Sequence, residues 1–188
     1  MFQSTSKPQS GFGTAISMFE LIYHSIVRSV RKTHNNAIMA IVMNMLQMVI
    51  FVGAFYVMFS ILGLRGAAIR GDFLVYIMTG IFLFMTHTKT FAAVVGSEGP
   101  ASPMMQHAPM NTIISISSAA LGALYVQVLS LFMILFIYHV AFTPLEIEEP
   151  FGAFGMLMLA WFTRVGAGLV LLAIKPWFPT FVSIFTQI

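Results

Sequence analysis

The chain has 188 residues, 59% of them hydrophobic and 8% charged, against about 25% charged in an ordinary soluble domain. Nine Lys or Arg and six Asp or Glu cannot clothe a globule of this size in solvated charge, so a water-soluble domain is excluded and the natural solvent is lipid. A net charge of +3 from so few residues argues against a nucleic-acid groove, and the absence of cysteine rules out disulfides, thiolate metal sites and Cys nucleophiles.

Residues 1–15 are rich in Ser, Gln, Gly and Thr and lack the apolar core of a signal peptide, so they read as a flexible cytoplasmic tail. From Ile16 to Arg31, the apolar residues Ile16, Phe19, Tyr23, Ile26, Val27 and Val30 recur at three- and four-residue steps. Glu20, His24, Arg28 and Arg31 fall on the other side. This pattern predicts an amphipathic helix over residues 16–34 lying along the inner membrane surface, with its Arg side chains at anionic headgroups. It serves as a plain anchor or, in addition, as a docking surface for a cytoplasmic partner.

A hydrocarbon core about 30 Å thick needs about 20 mostly apolar helical residues. Four stretches qualify: Ala37–Leu64, Phe73–Val95, Thr112–Phe142 and Phe151–Ile174. A fifth apolar stretch, Trp177–Ile188, is too short to cross; it either lies in the interface or is the start of a helix cut short, the latter being expected. The fold class expected is therefore an all-α integral membrane protein with four complete transmembrane helices, a truncated fifth and a preceding interfacial helix. The membrane domain spans residues 37–188. Lys7, Arg28, Arg31 and Lys32 precede the first span, which puts the amino terminus in the cytoplasm. Glu146, Glu148 and Glu149 then lie outside, and residues 96–111 and Lys175 inside.

Within the first span, Asn44 and Gln47 share a face with Phe51 and Phe55. Amides bond hydroxyls and rings cover the apolar face of a pyranose, so these residues suit a sugar path; Asn and Gln also serve as glue between membrane helices. Lys89 lies six residues from the inner end of the second span, within snorkelling reach, with Thr79, Thr86 and Thr90 on one side of that helix. Arg164, about 15 Å from the inner end of the fourth span, must face protein or water. It either lines a polar path or bonds a carbonyl or polar side chain. Ser115, Ser118, Gly122, Gly166 and Gly168 are small residues that let helices approach closely.

Between the second and third spans, residues 96–111 carry Pro100, Pro103 and Pro109, which forbid one continuous helix. A short helical turn presenting Met104, Met105, Gln106 and His107 fits between Pro103 and Pro109, and adaptable Met side chains suit a contact that re-packs. The bland alternative is a loop that only turns the chain.

No catalytic constellation is present. The sequence has no Gly-x-x-x-x-Gly-Lys phosphate loop, and His24, His34, His87, His107 and His139 lack metal-ligand spacing. The outer glutamates read as a solvated turn, and Arg70-Gly71-Asp72 as a chance match to an adhesion tripeptide. Catalytic, cofactor-binding and metal sites are all expected to be absent.

Three segments, FELIYHSIVRSVRKTH at Phe19 to His34, GDFLVYIMTGIFLFMTHTKT at Gly71 to Thr90 and PMMQHAPMNTIISISSA at Pro103 to Ala119, follow an order that resembles the membrane subunit of type-2 ATP-binding-cassette exporters. The likeness is to permeases for capsular polysaccharide, O-antigen or polyol-phosphate polymers in the bacterial inner membrane. The resemblance implies a homodimer of six-helix protomers above two ATPase subunits that bind ATP and Mg, with a path at the dimer interface. It also implies ATPase contacts from Glu20 to Lys32, including His24, Arg28 and Arg31, and from Met104 to Asn111. The translocation path expected here runs through Asn44, Gln47, Phe51, Phe55 and Arg164. Two other classes stay open: a membrane enzyme in which Lys89 and Arg164 grip the phosphate of a lipid-linked sugar, and a non-enzymatic scaffold.

Overall fold

The computed structural model describes residues 20–27, 37–63, 72–97, 112–142, 144–145, 147 and 149–187. Residues 20–27 are helical and form α1, the part of the expected surface helix that falls within this range. Glu20, Leu21, Tyr23, His24 and Val27 are exposed, while Ile22, Ser25 and Ile26 share a half-buried side. The remainder of that helix and the Pro-containing loop, with Met104 to His107, lie outside the described residues.

Four long helices follow: α2 (Ala37–Ile61), α3 (Phe73–Val95), α4 (Thr112–Ala141) and α5 (Pro150–Ile174). All four are long and apolar enough to cross a membrane, and no strand occurs among the described residues. The helix α2 stops at Ile61, three residues before the predicted end, because Gly63 takes a left-handed conformation (φ 69°) and its N–H donates to the Ser60 carbonyl. At the start of α3, the Asp72 carboxylate accepts from the Leu74 N–H at 2.9 Å, a side-chain cap that satisfies one of the orphan donors of the first turn. Pro150 opens α5, where its missing N–H costs nothing. The apolar stretch after α5 is a nine-residue helix, α6 (Pro179–Gln187), set off from α5 by a turn through Lys175, Pro176 and Trp177.

Side-chain pairings fix the helix directions. His87 with Ala160, Phe91 with Arg164 and Val94 with Gly168 advance together, so α3 and α5 run parallel. Asn44 meets Gln127 and Ser130, and further along Tyr56 of α2 and Tyr138 of α4 both reach the start of α3, at Phe73 and Asp72, so α2 and α4 likewise run in one direction. Tyr56 beside Phe73 and Gln47 beside Lys89 make α2 antiparallel to α3. Successive long helices therefore alternate, as consecutive spans do. The central helix is α3, which packs on α2, α4, α5 and α6.

The larger core cluster joins Met48, Ile77, Ile81, Phe82, Ile134 and Tyr138 from α2, α3 and α4. At the other end, Phe91 and Val95 hold Val182 of α6, which is 1% exposed. Large apolar side chains such as Phe132, Phe136, Phe151, Leu159 and Phe162 point outward along the helices. A surface of that kind suits hydrocarbon and not water. The chain is a multi-pass, all-α membrane protein.

Candidate functional site

Inside a span, every polar side chain needs a partner, because hydrocarbon supplies none. Following those partners locates the site. Asn44, buried on α2, donates through Nδ2 to Ser130 Oγ at 2.9 Å and accepts at Oδ1 from Gln127 Nε2 at 3.1 Å. One turn further on, Gln47 Oε1 accepts from Lys89 Nζ at 2.6 Å. Lys89 thus turns onto an amide of α2, and its charge stays at the depth of the helix instead of snorkelling to the surface.

These residues line a cavity of about 580 Å³ between α2, α3 and α4. Asn44, Gln47, Lys89 and Gln127 are its polar groups; Ala119, Gly122 and Ala123 of α4 leave room by their small size. The volume is that of a small-molecule site. Its lining runs over Ala40 to Ile50 of α2, Lys89 and Ala93 of α3, and Ala119 to Gln127 of α4, so it occupies the half of the bundle nearer Ala37, Val95 and Thr112. Among the described residues, Lys89 is its one charged lining residue, and no carboxylate lines it. The Gln127 Oε1 atom is buried without a hydrogen-bond partner among the described residues.

Of the five residues expected on a path, the structure brings Asn44 and Gln47 to this cavity and leaves the other three away from its lining. Phe51 packs against the Met48 core cluster. Phe55, 40% exposed, sits beside Phe59 with ring centroids 6.4 Å apart. Arg164 belongs to the other side of α3: its guanidinium carbon lies 4.9 Å from the centroid of the Phe91 ring, a cation–π contact, and its Nε is buried without a hydrogen-bond partner among the described residues. Lys89 and Phe91 are two residues apart on α3 and so point in nearly opposite directions. Lys89 and Arg164 therefore do not share a site, and the two-cation phosphate grip is not formed.

The threonines of α3 offer Lys89 no bond among the described residues. Thr79 and Thr86 donate back to the carbonyls of Tyr76 and Phe82 at 2.8 Å, and Thr90 is fully buried. Gly168 does bring helices together, since an added Cβ would lie 2.8 Å from Val94 Cγ1; Gly166 is exposed, and an added Cβ there would meet nothing within 4 Å. Asp72 of the tripeptide has a structural role, as it caps α3 and accepts from the Tyr138 hydroxyl.

Sequence reasoning missed Gln127 and Ser130. A lone amide in an otherwise apolar span was the available signal for Gln127, because such a group must meet another polar group across a helix interface. It also missed two bonds between helices: Trp161 Nε1 to the Ala120 carbonyl at 3.0 Å, within α5 and α4, and Lys175 Nζ to the Val95 carbonyl at 2.8 Å, at the ends of α5 and α3. No group of His, Asp and Glu capable of holding a metal exists among the described residues. No family model, curated protein or solved structure matches the chain.

Proposed function

We propose that this chain is the permease subunit of an ATP-driven exporter that moves a polysaccharide or lipid-linked glycan across the bacterial inner membrane. In this reading, the amino terminus is cytoplasmic, the working unit is a homodimer, and a separate ATP-binding-cassette ATPase supplies the energy. The observation that carries it is the cavity between α2, α3 and α4, whose lining includes the amides Asn44, Gln47 and Gln127. Amides bond sugar hydroxyls without adding charge, and about 580 Å³ accommodates one sugar unit or a headgroup at a time. The missing phosphate loop is consistent with a chain that borrows its driving force.

Coupling would run through α1 and the loop bearing Met104, Met105, Gln106 and His107, both on the cytoplasmic side in this orientation. Closure of the ATPase dimer would push these segments and shift α2 against α4 as a rigid body. The test is purification of the tagged full chain from membranes of the cells that make it. Stoichiometric recovery of an ATP-binding-cassette ATPase, lost when Met104, Met105 and His107 are all changed to Asp while the chain still inserts, is the expected result. Normal recovery of the ATPase with that variant, or none with the unaltered chain, would overturn the reading.

A further inference from the structure

Among the described residues, the cation in the cavity has no anion to answer it. The Lys89 ammonium has three donors and spends one on Gln47, and no carboxylate of those residues lines the space around it. An ammonium removed from water is costly to hold without a counter-charge, so the site is built for a ligand that carries one. Gln127 borders the same space but is 2% exposed and tied through Nε2 to Asn44, so Lys89 is the group left to meet a ligand. The ligand therefore offers negative acceptors to Lys89. A phosphate ester meets that demand.

The rim tells where the ligand comes from. Met43, Leu46 and Ile50 border the cavity and are 45%, 51% and 60% exposed, so its edge along α2 is apolar and faces the hydrocarbon. Lys89 stands six residues, or about 9 Å, along α3 from Val95, a depth that a headgroup reaches by a small inward movement from its own leaflet. A soluble phosphate would have to leave water to pass this edge, whereas a lipid arrives there with its chains already in the bilayer. We infer that the cavity binds the phosphate headgroup of an anionic membrane lipid, held by Lys89 with its acyl chains against Met43, Leu46 and Ile50.

This inference concerns the cavity that also carries the export reading, but its test stands apart from that reading, because it contains neither ATP nor ATPase. Purified full-length protein in detergent is titrated with phosphatidylglycerol, phosphatidylcholine or soluble glycerol phosphate, and bound species are counted by native mass spectrometry. Phosphatidylglycerol is expected to bind about tenfold more tightly than phosphatidylcholine, the preference of one charge-assisted contact, and glycerol phosphate not to compete. Lys89→Met should erase the preference and Lys89→Arg keep it. Ala123→Phe, which fills the cavity and leaves Lys89 in place, should exclude the lipid from a protein that remains monodisperse. Equal binding of the two lipids, retention of the preference in Lys89→Met, or undiminished binding in Ala123→Phe would each overturn the assignment. Competition by glycerol phosphate as strong as that by phosphatidylglycerol would overturn the lipid as its source.

Discussion

Asn44 shows how a single amide organises a membrane bundle. Both ends of its side chain are used, one on Ser130 and one on Gln127, so it joins α2 to α4 where apolar residues offer only dispersion contacts. Removing it takes from Gln127 Nε2 its acceptor and from Ser130 Oγ its donor. Asn44→Leu should therefore lower stability by about 1 kcal/mol, in the range measured for polar contacts between membrane helices. The double variant Asn44→Leu with Gln127→Leu should cost less than the sum of the two single changes, as read from unfolding in mixed micelles. Additive losses would mean that the two amides do not interact. That Asn44 and Gln47 turn toward other helices was legible in the sequence, since two amides one turn apart in an uncharged span stand out. Their partners were not, because Gln127 and Ser130 lie more than 80 positions away and nothing local selects them. Arg164 was also recognisable as an interior charge, but the Phe91 ring beneath it was not, since aromatic residues line every span.

At the scale of the helices, lengths and ends were largely readable, because apolar runs bounded by Gly, Pro and Asp set them directly. The predicted second span coincides with α3, while α2 ends earlier at the Gly63 turn. Which face of each helix meets protein was not readable. The spans are apolar on all sides, so period alone does not separate a lipid-facing side chain from a buried one. The close contact of α3 and α5 illustrates this, since it depends on one missing Cβ. An alanine methyl at position 168 would lie 2.8 Å from Val94 Cγ1 and 2.9 Å from its Cβ. Gly168→Ala should cost about 1–3 kcal/mol through overpacking, seen as a lower thermal midpoint in detergent. Val94→Ala should restore only part of that loss, because it removes the Cγ1 clash and leaves the one with Cβ; full recovery would place the strain elsewhere. Gly166→Ala, with open space around it, should be nearly neutral in the same assay.

For the whole molecule, the alternation of α2 to α5 makes a sidedness claim open to direct measurement. Ser97, after α3, and Leu145, before α5, follow opposite ends of the bundle. The chain contains no cysteine, so Ser97→Cys and Leu145→Cys give single thiols without further engineering. A membrane-impermeant maleimide added to intact cells should label position 145 and reach position 97 only after the membrane is opened. Labelling of both from outside would break the alternating topology, and the reverse pattern would invert the proposed orientation. The position of α3 at the centre of this arrangement also bears on how the protein is made. It is the least apolar of the four spans, and its lysine finds an acceptor on a helix already synthesised, Gln47 of α2. The ribosome thus delivers α3 after one of its partners and before the others, so α2 and α3 should leave the translocon as a hairpin. A nascent chain truncated after Ser97 should then integrate both segments, and one carrying Gln47→Leu should release α3 less efficiently.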